Sequence, residues 1–354
     1  MPKIMSSNAA TAIAQMPALL KRQMRSNSFG IRLFAMIMGG AVVSIASVAF
    51  LFAETVKYQA EDHIQEVLES KVGKIHEVTD RAENLAYTLG VSVATLHIRR
   101  AQTAETYQVL TRQLFESQPS YILGLGFGQK EYGILTDQAW FYPYYQIDST
   151  ADARTGASST ASLPTTAQSG SVRYINRAEG AEEADFYPTE PNQTYFSPQQ
   201  SAWTPPRQRD GDNLLTYYSP IFDDDQTWLG TTVVDIDGDY LQAVLDESVF
   251  QQGGQLILLS AEGQVIADPM ATADDQDASE AAGENAAKTV DNRTYADVPG
   301  LSEVWDQIEG ERSSGLIEGE AGYWSYLQIP EQSWVVLAYV PDGVVFGQIV
   351  AIVL

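Results

Sequence analysis

The feature that most constrains this sequence is an uncharged apolar run at residues 33–53, LFAMIMGGAVVSIASVAFLFA. A helix of this length spans roughly 30 Å, which matches the hydrocarbon core of a bilayer. Because basic residues are retained on the cytoplasmic side of a membrane, we predict a cytoplasmic N-terminus at 1–32, a transmembrane helix at 33–53 and an extracytoplasmic chain from Glu54 onward. The predicted N-terminus contains no acidic residue, and its basic residues are Lys3, Lys21, Arg22, Arg25 and Arg32.

A cleaved signal peptide is the alternative interpretation of the same run. The apolar part is longer than the core of a typical signal peptide. A cut after Ala53 would also place Leu51 where a small residue is required. The sequence therefore favours an uncleaved anchor in the lipid bilayer of the inner or plasma membrane.

The composition excludes several kinds of partner and chemistry. The protein has 46 Asp and Glu residues against 21 Lys and Arg residues, which gives a formal net charge of −25. So acidic a chain repels nucleic acid, and nucleic acid is not expected among its partners. The absence of cysteine excludes disulfides, thiolate metal sites and cysteine nucleophiles.

A long helical pattern follows the membrane segment. Its apolar residues recur at steps of three and four, and no proline interrupts 54–100. A second helical pattern at 104–117 stops before Pro119, so we predict stalk helices over 54–118. A stalk helix that buries one stripe can offer another to a partner helix, which predicts a homodimer through the stalk. The predicted buried stripe is Ile64, Leu68, Val72, Ile75, Val78, Ala82, Leu85, Leu89, Val93 and Leu96.

Residues 119–250 have the composition of β-strands joined by turns, and we predict that they form one unit. An insertion at 148–171 is rich in Ser, Thr and Ala, which predicts an exposed loop. An amphipathic helix at 239–250 closes the unit. The predicted strands are 121–127, 139–145, 171–177, 214–222 and 228–236.

Residues 251–342 repeat this arrangement in a smaller unit, with another acidic loop at 270–288. The apolar segment 343–354 is interpreted as the start of a truncated second transmembrane helix, with the cytoplasmic output domain missing from the sequence. A core strand or an amphipathic tail is the alternative. The predicted elements of the unit are a hairpin at 255–259 and 264–267, a helix at 301–308 and strands at 314–318, 321–329 and 334–340.

Four segments resemble the double Cache sensor family. LTYYSPI at 215–221 and LGTTVVDI at 229–236 are similar to the end of its membrane-distal unit. LLSAEGQVIADP at 258–269 and IPEQSWVVLAYVP at 329–341 are similar to the first hairpin and the closing strand of its membrane-proximal unit. The resemblance covers 54–342 and implies an α/β (α+β) fold, in which a long N-terminal stalk helix carries two PAS-like antiparallel-sheet units between transmembrane helices.

The resemblance also implies a ligand-binding site in the distal unit. Tyr187 and Asp235 match family positions, and Phe186 stands for a family Trp, but Ala184 stands where amino-acid-binding members have an arginine. A zwitterionic ligand is therefore in doubt, unless Arg207 or Arg209 supplies the cation. The candidate ligand-binding residues are Phe186, Tyr187, Trp203, Tyr218 and Asp235.

Each candidate has a structural alternative. The aromatic residues could be core or lid packing, and Asp235 could cap the helix that follows it. Tyr217 alternates with Thr216 and Tyr218, so only one parity can face a pocket, and the sequence does not say which.

The sequence points to no catalytic residue, metal site or cofactor. Asp235, Asp237 and Asp239 imitate a calcium loop, but Tyr240 stands where that loop requires glycine. The three histidines are widely spaced along the stalk, so they cannot converge on one ion within a chain. We therefore expect no enzyme but a receptor that senses a small extracellular solute from the periplasmic side. A membrane-anchored interaction or adhesion module and a carboxylate-based hydrolase are the alternatives.

Overall fold

The computed structural model describes residues 28–101, 103–147, 172–177, 200–209, 212–246, 254–269, 293–308, 313–319 and 322–341. Residues up to Glu61 and residues from Asp62 onward form two compact units. The predicted loops at 148–171 and 270–288 and the predicted second membrane helix at 343–354 lie outside the described residues.

The first unit consists of the N-terminal part of helix α1, which spans Ser28–Ile98. Large apolar side chains of this part are exposed, among them Met36 (78%) and Ile45 (69%). None of the helices in the described part of the chain has the length and sustained hydropathy of a membrane span. The transmembrane helix at 33–53 therefore stays a prediction.

In the second unit, α1 continues without a break to Ile98 and buries the predicted apolar stripe, of which only Val72 and Leu96 are half-exposed. The stripe also contains a charged residue that the periodicity did not reveal. Lys71 is 4% exposed, and its ammonium donates a hydrogen bond to the carbonyl of Val244. Burial of the lysine is tolerated because its charge has an acceptor.

A seven-stranded antiparallel sheet, the first sheet, follows helix α2 (Ala104–Glu116). The strand order is β3-β2-β1-β7-β6-β4, and β5 also pairs with β6. Helix α3 (Gly238–Asp246) follows the last strand. The strands are β1 Ile122–Gln129, β2 Pro143–Ile147, β3 Val172–Asn176, β4 Ala202–Trp203, β5 Arg207–Arg209, β6 Asp212–Phe222 and β7 Trp228–Asp237.

One face of the first sheet is covered by α1 and α2. Phe127 pairs with Thr232 across β1 and β7, and its ring lies 6.0 Å from the ring of Tyr107 on α2. A Cβ added to Gly90 on α1 would lie 3.6 Å from the Thr232 methyl group. Because side chains alternate along a strand, the intervening residues of β1, β6 and β7 face the other way.

The strand predicted at 139–145 begins only at Pro143, so its first part was wrong. The side chain of Gln129 forms hydrogen bonds with backbone groups of this segment and its neighbours. Its amide donates to the carbonyls of Gln138 (2.7 Å) and Ala139 (3.2 Å), and its oxygen accepts from the N–H of Leu135 (2.8 Å). Gln129 is fully buried, so these bonds hold a loop where apolar composition suggested a strand.

A five-stranded antiparallel sheet, the second sheet, has the order β10-β11-β12-β8-β9. Its core includes Trp305, Trp324 and Leu337. The helix predicted at 301–308 is shorter, because only Trp305–Ile308, here α4, is α-helical and a turn precedes it. The strands are β8 Gln255–Leu259, β9 Val265–Ala267, β10 Ser314–Glu318, β11 Gly322–Gln328 and β12 Val335–Pro341.

The carboxylate of Glu83 on α1 joins elements of both sheets. It accepts hydrogen bonds from the indole of Trp203 on β4 (2.8 Å) and from the amide of Gln332 in the β11–β12 turn (2.8 Å). The rings of Trp203 and Trp334 lie 5.3 Å apart edge to face. The two sheets and α1 therefore meet at one polar and aromatic contact.

Candidate functional site

The face of the first sheet turned away from α1 carries a buried charged group. Thr216 and Tyr218 of β6 pair with Asp235 and Val233 of β7, so these four residues share one face. Tyr217 belongs to the opposite face. The sequence left open which residues of β6 face a pocket, and the structure shows that Thr216 and Tyr218 lie on the same face as Asp235.

Glycines in β1 make room for a tyrosine on this face. Gly124 lies between Asp235 on β7 and Gln146 on β2. A Cβ added to Gly124 would lie 1.7 Å from the hydroxyl oxygen of Tyr144, and one added to Gly126 would lie 2.9 Å from its ring. The Tyr144 side chain therefore crosses β1 through space that a side chain at Gly124 or Gly126 would occupy.

Asp235 is the centre of this group and is fully buried. Oδ2 accepts a short hydrogen bond from the hydroxyl of Tyr144, and Oδ1 accepts one from the hydroxyl of Thr216. A guanidinium nitrogen of Arg177 lies 3.5 Å from Oδ2, and one of Arg207 lies 3.7 Å from Oδ1. The carboxylate thus has a donor or a cation at each oxygen.

The surroundings hold Asp235 in its ionised form. Burial by itself would raise the pKa of its carboxyl, but the guanidiniums of Arg177 and Arg207 and the hydrogen bonds from Thr216 and Tyr144 lower the pKa below its ordinary value. Burial and the neighbouring carboxylate raise the pKa of Tyr144 well above its ordinary value. Tyr144 therefore stays a neutral donor at physiological pH.

Two arginines, Arg177 and Arg207, lie beside the single carboxylate of Asp235. The guanidinium of Arg177 lies 3.3 Å from the ring centroid of Tyr144, and its side chain is 12% exposed. Arg207 donates to the hydroxyl of Thr216 at 2.9 Å. The Nε atoms of both arginines are buried and have no hydrogen-bond partner among the described residues. Within those residues the group carries two positive charges and one negative charge, with two donors left unused.

The structure brings some of the predicted site residues together and separates others. Asp235 and Tyr218 share the buried face, where Tyr218 packs with Tyr142 and Tyr144. Trp203 does not join them, because its ring lies 5.0 Å from that of Tyr217 on the opposite face. The other two predicted residues, Phe186 and Tyr187, lie outside the described residues.

Asp235 does not cap the following helix, which was the structural alternative. The side chain of Asp237 accepts a hydrogen bond from the N–H of Asp239 at 2.9 Å instead. Helix α3 starts at Gly238, so Tyr240 lies within it rather than in a calcium loop.

Sequence reasoning missed Arg177, Tyr142 and Tyr144 and offered Arg207 only as a substitute cation. Arg177 follows β3 directly, and its N–H donates to the carbonyl of Tyr142 at 3.1 Å. Its position at the end of a predicted strand was the only available signal. The contact with Asp235 depends on pairing between strands that are distant in sequence.

Solved structures with the same fold are sensor domains. No protein-family model matches the sequence, and no curated protein matches it. The extracellular domain assigned to the histidine kinase mmHK1S-Z3 aligns with a TM-score of 0.56 at 14% identity, over 82% of this chain and 98% of that chain. The periplasmic sensory domain of the Campylobacter jejuni chemoreceptor Tlp1 aligns with a TM-score of 0.54 at 13% identity, over 82% and 98% of the two chains.

A third structure, the extracellular domain assigned to the histidine kinase soHK1S-Z6, gives a TM-score of 0.54 at 13% identity over 83% of this chain and 98% of that chain. The family resemblance noted in the sequence is confirmed at the level of the fold. The chain therefore has the fold of the double Cache sensor domains of histidine kinases and chemoreceptors.

Proposed function

We propose that this chain is the extracytoplasmic sensor portion of a transmembrane receptor and that it binds a small solute at the Asp235 face of the first sheet. The proposal is carried by one observation: a fully buried carboxylate faces two guanidiniums whose Nε donors have no partner among the residues that the structure describes. Buried charge costs free energy, and perturbed charged groups of this kind cluster at functional sites.

The charge balance of the face favours a ligand with an anionic group. Asp235 is already engaged by Tyr144 and Thr216, whereas the Nε donors of Arg177 and Arg207 are unused within the described ranges. Guanidinium groups bind carboxylates through two parallel hydrogen bonds. A carboxylic acid or another small anion therefore fits this face better than a simple amine.

The proposal places the receptor in a membrane. The large apolar side chains of α1 from Leu33 to Leu51 are exposed, and basic residues precede them. Lipid around 33–53 would remove this apolar surface from water, with the N-terminus in the cytoplasm and 54–342 outside. Within the outer part, 119–250 would form the membrane-distal unit and 251–342 the membrane-proximal one.

A homodimer through α1 is part of the same proposal. Beyond Asp62, three large apolar residues of α1 are exposed at spacings of four and seven: Tyr87 (68%), Val91 (47%) and Ile98 (48%). This spacing suits a seam between two helices. Ligand binding would shift the signalling state only through different affinities for two arrangements of this dimer, and a separate cytoplasmic output module would respond.

The test is a thermal-shift screen of the 354-residue chain in detergent against carboxylic acids, amino acids, amines and sugars. A ligand that binds the native state raises the melting temperature by mass action. We expect the active compounds to carry an anionic group. Calorimetry on Arg207→Gln should then show affinity at least about tenfold weaker, since a hydrogen bond to a charged group contributes about 1.5–3 kcal/mol.

Arg112→Gln is the matched control, because Arg112 is 60% exposed and pairs with Glu116 on its own helix. Its affinity should equal that of the wild-type protein. A screen without a hit, or a hit whose affinity is the same in Arg207→Gln and Arg112→Gln, would overturn the proposed function.

A further inference from the structure

Three ligating side chains from two parts of the second unit converge at α1. His76 and Asp80 lie one helical turn apart on α1 and therefore share a face. Glu331 belongs to the turn between β11 and β12. One ligand atom from each of the three residues lies within 4.8 Å of the other two.

One imidazole nitrogen of His76 is unsatisfied within the described part of the chain. Its Nδ1 atom is buried and has no hydrogen-bond partner among the described residues. An unsatisfied buried nitrogen costs free energy, and such an atom in a native protein calls for an explanation. The carboxylates of Asp80 and Glu331 are exposed and repel each other, so both would gain from a cation between them.

The β11–β12 turn is already held against α1. The amide of Gln332, next to Glu331, donates to the carboxylate of Glu83 at 2.8 Å. Glu83 lies seven residues, about two turns, beyond His76 on the same helix. The three ligating residues are therefore brought together by the fold and not by flexible side chains alone.

The donor set indicates the class of ion. One imidazole nitrogen with two carboxylate oxygens suits Zn²⁺ and other first-row divalent ions, whereas Ca²⁺ and Mg²⁺ prefer oxygen ligands alone. Ligands about 2.0–2.2 Å from such an ion lie about 3–3.5 Å from one another. Small rotations of the two exposed carboxylates would bring ligand atoms that now lie within 4.8 Å of one another to that spacing.

We propose that His76, Asp80 and Glu331 bind a first-row divalent metal ion of the Zn²⁺ type, which fastens the β11–β12 turn to α1. Three protein ligands leave a coordination position for water. The spacing of the three histidines excluded their convergence on one ion, but it gave no signal for a site with a single histidine. Because Glu83 also binds Trp203 of the first sheet, the ion would stabilise the contact at which both sheets meet α1.

Calorimetric titration of ZnCl₂ into the tag-free, EDTA-treated 354-residue chain in detergent tests the site. We expect one saturable site in the wild-type protein. His76→Ala, Asp80→Asn and Glu331→Gln should each weaken binding at least about tenfold, since each removes a direct ligand. His63→Ala, which changes another histidine of the same helix, should bind as the wild type does.

Co²⁺ provides a second measurement, which a purely structural effect of a substitution would leave unchanged. Its visible absorption reports the ligands of the bound ion, so the wild-type spectrum should be lost in His76→Ala and retained in His63→Ala. Circular dichroism in EDTA verifies that the variants are folded. Absence of saturable Zn²⁺ binding, or equal affinity in the wild type and all three ligand variants, would overturn the proposal.

Discussion

The hydroxyl of Tyr144 donates to the carboxylate of Asp235 although strand β1 lies between their two strands. The contact is possible because β1 presents Gly124 and Gly126 to this face, where Cβ atoms would collide with the tyrosine. A polar side chain thus reaches a buried partner two strands away, across a strip of backbone. This relationship assembles the candidate site from elements that are far apart in sequence.

Replacing Gly124 by alanine should destabilise the protein. The added Cβ would lie 1.7 Å from the Tyr144 hydroxyl oxygen, so the tyrosine must leave Asp235 or β1 must shift. We expect a loss of about 1–3 kcal/mol in the free energy of unfolding, measured by urea denaturation. Gly73→Ala is the matched control, since nothing lies within 4 Å of its added Cβ on α1. There we expect a gain of about 0.5–1 kcal/mol from helix propensity. Equal effects of the two substitutions would contradict this account.

Asp235→Asn should also destabilise the protein, because it leaves two guanidiniums beside a neutral buried group. Removal of one partner of a buried ion pair costs about 3–5 kcal/mol, and the lower end applies here since Arg207 is 39% exposed. Chemical denaturation measures the change. Asp239→Asn, an exposed change close in sequence, should cost less than about 1 kcal/mol. Comparable losses in both variants would show that the buried pair contributes little.

The contribution of Asp235 should disappear in acid. Its pKa is lowered in the folded protein, so the unfolded state takes up the proton first as the pH falls. The stabilisation is fully present above the unfolded pKa of about 3.9 and is lost as the pH falls through the lower folded value. The difference in unfolding free energy between wild type and Asp235→Asn should therefore shrink from about pH 5 towards pH 2. A difference that stays constant over this range would refute the assigned pKa shift.

Glu83→Ala should weaken the contact between the two sheets. It leaves the indole N–H of Trp203 and the amide of Gln332 without their acceptor. We expect a loss of about 2–3 kcal/mol, since unsatisfied partners of a charged group are costly. In a double-mutant cycle, Gln332→Ala should then cost less in the Glu83→Ala background than in the wild type. Strict additivity would mean that Glu83 does not link the two residues.

Val91→Glu should dissociate the proposed dimer, because it places a charge in the apolar seam of α1. Val109→Glu on α2 is the matched control, as the two valines are exposed to nearly the same extent, 47% and 46%. Analytical ultracentrifugation in detergent should show a lower dimer fraction for Val91→Glu alone. A monomeric wild type, or no difference between the variants, would exclude the seam.

The fold was largely predictable from local patterns. The steps of three and four in α1 predicted its buried stripe, and strand-like composition predicted β6 and β7 nearly to the residue. Errors occurred where a side chain competed with the backbone. Gln129 binds the backbone groups around Ala139, and no local signal distinguishes that loop from a strand.

The candidate site was predictable only in part. Asp235 and Tyr218 were found through their motifs, but Arg177 and Tyr144 gave no signal of their own. Trp203 was grouped with Asp235 by motif order, yet it belongs to the opposite face of the sheet. A shift of one residue along a strand reverses the face, and motif order does not fix that register.

The long helix, the two strand-rich units and the acidic, cysteine-free character of the chain follow from periodicity and composition, and they can be read from the amino-acid sequence. Which side chains meet depends on the folded chain: Tyr144 and two arginines lie at Asp235, and His76 lies near Glu331 at α1. Buried charges of this kind are held by partners from distant strands and turns. Such partners become neighbours only when sheet pairing and helix packing are complete.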